Sequence, residues 1–128
     1  MDITILIIDD DVDFQFMVGT MLQLSGYKVR SLLEGKLKGA VDLASKCDMI
    51  MLDVELPGIN GVALGRKLRA SAGTSHIPII LVSGQDNLDE LFLQSQANAF
   101  IQKPFSLTFL MKKVRELLVP TVKQLTTH

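Results

Sequence analysis

The chain has 128 residues, 48% of them hydrophobic, which is enough for one compact core and too few for two ordinary domains. Thirteen basic residues against fourteen acidic ones leave a formal net charge of -1, a balance that favours neither direct nucleic-acid binding nor attachment to a membrane surface. The one cysteine, Cys47, excludes an internal disulfide; no signal-peptide order and no apolar run near the roughly 20 residues of a membrane span occurs, so the cytoplasm is the expected compartment.

Short apolar runs alternate with longer helical patterns, the order of strands joined by crossover helices into a parallel sheet. Ile3 to Ile8 reads as the first strand, followed by a helix with Phe14, Met17, Val18, Met21 and Leu22 on one face and Ser25-Gly26 at its end. Tyr27 to Leu32 is the second strand, and Gly35 to Lys46 carries Leu37, Ala40, Val41 and Ala44 at helical spacing. Asp48 to Leu52 is the third strand; Asn60 caps a third helix with Leu64 and Leu68 inward, before a polar loop from Ser71 to Thr74. Ile77 to Val82 is the fourth strand, and Leu88, Leu91, Phe92 and Ser95 make a thin stripe on the fourth helix. Ala99 to Gln102 is the fifth strand, and Ser106 caps a fifth helix whose face is Leu107, Leu110, Met111, Val114 and Leu118 until Pro120 stops it. The first, third and fourth strands read as buried on both faces. The expectation is an α/β fold of five βα units, a domain over residues 1–120, and a tail or linker start over 121–128. Ligands in such open sheets sit outside the carboxyl ends of the strands, where strand order reverses.

That edge is where the chemistry-bearing residues fall. Asp9, Asp10 and Asp11 follow the first strand and Asp53 closes or follows the third. Clustered carboxylates repel, so they hold protons or a cation, and a hard ion such as Mg2+ suits two carboxylates plus a strand-end carbonyl. Capping of the first helix by Asp10 or Asp11 is the plain alternative for the run, but it leaves Asp53 unexplained. Lys103-Pro104 brings a cation to the same edge, where it can stabilise charge on a transferring phosphoryl group, and Ser83 ends the fourth strand as a hydrogen-bond donor or an ordinary turn residue.

Asp9-Asp10, the stretch Asp53-Val-Glu-Leu-Pro57-Gly-Ile-Asn-Gly61, Ser83 and Lys103-Pro104-Phe105, in this order and spacing, resemble the response-regulator receiver domains of two-component signalling, chemotaxis regulators among them. The resemblance runs from Ile3 to Leu118. It implies a doubly wound, flavodoxin-like five-stranded parallel sheet in the order 2-1-3-4-5. It also implies that Asp53 becomes an acyl phosphate, that Asp10 and Asp53 bind Mg2+ directly, that Asp9 assists through water and that the carbonyl of Glu55 is a further ligand. Lys103 would contact the phosphoryl group, Ser83 would move toward it, and Phe100 would be the coupled aromatic switch, although a phenylalanine on a strand is also ordinary core filling. The Lys103-Pro104 bond is expected to be cis on the same ground. The surface of the fourth helix, fifth strand and fifth helix would then signal to an output protein or domain. A histidine kinase or histidine phosphotransfer protein is the implied donor, with homodimerisation left open and no enzyme activity expected.

Three features depart from the family pattern. Asn60 stands where an acidic residue is usual, Gln96-Ala97-Asn98 replaces a small Ala-Gly-Ala-type turn, and the second helix lacks the usual pattern. Glu55 and Gln85 occupy positions that tune phosphate lifetime in the family. Phe16, Leu24 and Phe109 either widen buried faces or mark partner surfaces. Cys47, Met17, Met21 and Met111 read as packing residues, and His76 and His128 as solvent-facing. Met1 beside the first strand favours an N-terminal or standalone position. The rival functions are a degenerate receiver that docks without phosphate, which the complete residue set opposes, and a haloacid-dehalogenase-like phosphatase. The latter wants Asp-x-Asp, and Asp53-Val54-Glu55 matches it poorly. A nucleotide or flavin module would need a Gly-rich loop after the first strand, where aspartates stand instead.

Overall fold

The apolar runs and helical stretches become strands and crossover helices in a computed structural model, which describes the backbone of residues 2–126 and the side chains of residues 2–118. In chain order the elements are β1 (Thr4–Ile8), α1 (Val12–Leu24), β2 (Lys28–Leu32), α2 (Leu37–Ala44), β3 (Met49–Asp53), a hairpin of β4 (Glu55–Leu56) and β5 (Ile59–Asn60), α3 (Gly61–Ala70), β6 (Ile79–Ser83), α4 (Leu88–Ser95), β7 (Ala99–Gln102) and α5 (Leu107–Thr126). One parallel sheet runs in the order β2-β1-β3-β6-β7, which is the expected 2-1-3-4-5 order once the hairpin strands are set aside. The hairpin escaped the sequence reading because two-residue strands are too short to show alternation.

Alternation along each central strand divides the core into two layers. Ile5, Ile7, Met49, Met51, Ile80 and Val82 pack with Phe14, Val18 and Leu22 of α1 and with Leu110, Val114 and Leu118 of α5. Leu6, Ile8, Ile50, Leu52, Ile79 and Leu81 face α2, α3 and α4. Helices on both faces are why β1, β3 and β6 are apolar almost throughout, as expected. No helix among the described residues is long and apolar enough to cross a membrane.

Local signals hold at the caps: Asn60 Oδ1 accepts the Val62 N–H at 2.7 Å, and Ser106 Oγ accepts the Phe109 N–H at 3.1 Å. Several packing expectations need correction. Met17 is 50% exposed, because α1 turns a narrower face to the sheet than its methionines suggested, while Met21 and Met111 are half-buried. Phe16 and Leu24 are 76% and 77% exposed, so they do not widen that face. Thr74, read as part of a polar loop, is fully buried, and its hydroxyl donates to the Leu68 carbonyl at the end of α3. α5 continues past Pro120 to Thr126, since a proline removes one N–H bond without dissolving the rest of the ladder. His76 is exposed and His128 lies outside the described residues.

The unusual turn before β7 has a physical account. Gln96 adopts the left-handed conformation (φ 62°) where glycine is the easier choice. Asn98 Oδ1 accepts the Ile79 N–H at 2.8 Å and an Arg69 Nη2 hydrogen at 2.7 Å. Arg69 also donates to the carbonyls of Gln96, Ser75 and Ile77, so one guanidinium ties α3, the loop before β6 and the turn before β7.

Candidate functional site

Register brings the site together. Ile8 lies opposite Leu52, Asp53 opposite Val82, and Ser83 opposite Gln102, so the residues that end or follow β1, β3, β6 and β7 reach one edge of the sheet. The Asp9 N–H donates to the Leu32 carbonyl at 3.0 Å and the Lys103 N–H to the Ser83 carbonyl at 2.8 Å, extending the ladders by one residue under each side chain. The edge falls between β2-β1 and β3-β6-β7, at the reversal of strand order where ligands bind in open α/β sheets. The Lys103-Pro104 peptide bond is cis, as expected.

Asp9, Asp10, Asp11, Asp53, Glu55, Gly84 and Lys103 line a cleft of about 540 Å³. Carboxylate oxygens of Asp9, Asp10 and Asp53 lie within 4.8 Å of one another. The three aspartates after β1 divide their tasks. Asp11 Oδ1 accepts the Phe14 N–H at 3.1 Å, so Asp11, not Asp10, caps α1. Asp9 is 1% exposed; its Oδ1 accepts the Asp11 N–H at 2.9 Å and its Oδ2 faces Lys103 Nζ at 3.1 Å. Asp10 is exposed at the mouth, and Asp53, 7% exposed, accepts the Glu55 N–H on Oδ1 at 3.2 Å. Three close carboxylates with one lysine leave excess negative charge and hard oxygen donors, which fits a small divalent cation better than any soft metal.

Electrostatics mark Asp53 as the strained member. Burial, with smaller contributions from Asp9 and Asp10, pushes its pKa up to about 6, against the opposing pull of the Glu55 N–H and Lys103. A raised folded-state pKa stabilises the protein below the unfolded value of 3.8, and that stabilisation is lost as pH rises through about 6. Asp53→Asn keeps an acceptor for the Glu55 N–H and removes the charge. In metal-free buffer it is expected to raise stability at pH 7.5 by about 1–2 kcal/mol, after allowing for solvent in the open cleft, and to lose that advantage below about pH 4. Denaturant midpoints for both proteins across this range check it; an advantage independent of pH would refute the charge origin.

Ser83 is fully buried, and its hydroxyl accepts the Gln85 N–H at 3.0 Å. Phe100 is 38% exposed and sits with its ring 5.0 Å from that of Phe92, so it does not act as core filling. It lines a separate hollow with Gln102, Pro104, Phe105 and Phe109.

Sequence reasoning missed Gln15. The residue is 7% exposed, and its Nε2 donates to the carbonyls of Ile7, Asp9 and Leu32 at 2.8, 3.1 and 3.0 Å, which holds the ends of β1 and β2 together beneath the site. The available signal was its place on the same helical arc as Val18 and Leu22, where a polar side chain needs buried partners.

Comparisons with known proteins agree with this fold. Residues 5–115 match the response regulator receiver domain family. The phosphate regulon transcriptional regulatory protein PhoB of Pseudomonas aeruginosa is 33% identical over 117 residues, covering 90% of this chain and 51% of that protein. The chain thus spans about half the length of that relative. Among solved structures, a putative response regulator from Chloroflexus aurantiacus is 30% identical with a TM-score of 0.84, over 93% of this chain and 99% of that one. The receiver domain of a Pseudomonas aeruginosa sensor histidine kinase, solved with a magnesium ion coordinated in its active-site cleft, is 27% identical with a TM-score of 0.82, over 92% and 98% of the two chains. The chain belongs to the response regulator receiver family of two-component signalling proteins.

Proposed function

We propose that Asp53 is the phosphoacceptor of this receiver domain, on the strength of one observation above all: a buried strand-end carboxylate is grouped with those of Asp9 and Asp10 in a cleft that Lys103 also lines. An Asp53 carboxylate oxygen attacks the phosphorus of a phosphohistidine, the P–N bond breaks with its electron pair going to the imidazole, and an acyl phosphate remains on Asp53. Lys103 offers its ammonium to the phosphoryl oxygens. Asp10, Asp53 and the Glu55 carbonyl would hold Mg2+, with Asp9, both of whose oxygens are engaged, acting through water. When bound, Mg2+ offsets the carboxylate charge and the charge gathering on the phosphoryl oxygens.

The places of Ser83 and Phe100 without phosphate support a switch through these two residues. The Ser83 hydroxyl, whose oxygen accepts the Gln85 N–H, turns to donate its O–H to a phosphoryl oxygen, and Phe100 leaves its half-exposed place beside Phe92 for the interior. The face made by α4, β7 and α5 changes with it and is read by an output protein or domain. A histidine kinase or histidine phosphotransfer protein is the donor. The chain is a signalling module of the cytoplasm and turns over no substrate of its own.

Intact mass after incubation with acetyl phosphate tests this. The expected result is a single phosphoryl adduct that requires Mg2+ and is absent from Asp53→Asn. An adduct that survives the substitution would move the acceptor elsewhere, and no adduct in a protein shown to bind Mg2+ would favour docking without phosphate.

A further inference from the structure

The environment of Lys103 contains more than its carboxylate partner. Its Nζ lies 4.1 Å from the centroid of the Phe14 ring as well as 3.1 Å from Asp9 Oδ2. Among the described residues Asp9 is its one ion-pair partner, so the ammonium rests on the β1-α1 side of the cleft and makes no ion pair with Asp53. Phe14 is itself held in place. Its N–H bonds Asp11 Oδ1 at 3.1 Å, and its ring meets Phe105 edge-on, with centroids 6.0 Å apart and an interplanar angle of 85°. That arrangement turns the electron-rich face of Phe14 to the lysine, the orientation in which an aromatic attracts a cation.

We propose that Phe14 is a positioning residue for Lys103: its ring and Asp9 together hold the ammonium away from Asp53 until a phosphoryl group draws it across. This rests on the reading of Asp53 as phosphoacceptor. A lysine that must leave an aromatic face to reach the phosphoryl oxygens gives up the cation–π attraction in the transition state. The contact therefore favours the unmodified protein and slows phosphorylation. A leucine at position 14 would fill most of the space without the attraction, and a tyrosine would keep the π face.

The test uses Phe14→Leu and Phe14→Tyr in two arms. In metal-free protein, NMR of the Lys103 methylene next to Nζ reads the ring directly. The upfield ring-current shift is expected in the wild type and in Phe14→Tyr, and is expected to vanish in Phe14→Leu. With Mg2+ and acetyl phosphate, the rate constant for phosphorylation is expected to rise about two- to five-fold in Phe14→Leu and to stay near the wild-type value in Phe14→Tyr. A Lys103 signal indifferent to the ring, an unchanged or slower rate in Phe14→Leu, or a tyrosine variant that behaves like leucine each overturns the proposal. An unphosphorylated wild type would instead sink the reading of Asp53, and the NMR arm would still decide the contact.

Discussion

Lys103→Ala is expected to slow phosphorylation by acetyl phosphate by about 10²–10³-fold, because it removes the one cation that lines the cleft among the described residues from the charge that develops on the transferring group. It should also weaken the metal-free fold. Asp9 has a side chain 2% exposed, and its Oδ2 would lose its ion partner, leaving a buried carboxylate uncompensated, which costs about 3–5 kcal/mol in comparable sites. Water entering the cleft reduces this, so about 2–3 kcal/mol is the expected loss. Mg2+ should restore much of it by supplying positive charge to the same oxygens, making the variant's stability more dependent on Mg2+ than the wild type's. Lys103→Arg keeps the charge but carries a broader, forked head, and is expected to recover stability more fully than rate. The two substitutions at the cleft thus pull stability in opposite directions, Asp53→Asn up and Lys103→Ala down. Equal metal-free denaturation midpoints for Lys103→Ala and wild type would show that the ion pair contributes nothing.

Gly61→Ala is expected to be more damaging than alanine at any other glycine. A Cβ at this position would overlap the Asp53 carbonyl oxygen and lie 2.6 Å from the Val54 Cα, both backbone atoms that no rotamer change can move aside. The Gly61 N–H also bonds the Val54 carbonyl at 2.8 Å, so the chain cannot back away without losing that bond. Overpacking of this kind costs about 3 kcal/mol or more, a fall in midpoint temperature of roughly 10–15 °C for a chain of this size. The strain lands on the backbone that carries Asp53, so Mg2+ affinity should fall in the fraction that stays folded. Thermal unfolding and Mg2+ titration together check this; a stable variant with unaltered Mg2+ binding would mean that the β3-α3 connection yields more easily than its packing implies.

The layered fold was legible because a parallel sheet covered on both sides demands near-continuous apolar strands, and Leu6-Ile7-Ile8, Ile50-Met51-Leu52 and Ile80-Leu81-Val82 meet that demand locally. The carboxylates and Lys103 were legible because strand ends are the places such a fold exposes. Gln15, Thr74 and Arg69 were not. Each is a polar residue whose partners lie on elements distant in the chain or on carbonyls freed at helix and strand ends, and no local pattern announces where those carbonyls point. Met17 failed for the related reason that helical periodicity says which residues share a face, not how wide a strip the neighbouring elements cover.

By itself the sequence determined the alternation of strands and helices, the caps at Asn60 and Ser106, and the acidic and basic residues that must gather at one edge of the sheet. These depend on short-range chemistry: apolar periodicity, side chains that bond their own backbone, and the directionality of βα units. Only the tertiary structure decided that Asp11 caps while Asp9 pairs with Lys103, that Phe14 turns its face to that lysine, and that position 61 admits no side chain. Those facts depend on distances between segments up to 94 residues apart, set by sheet register and helix packing.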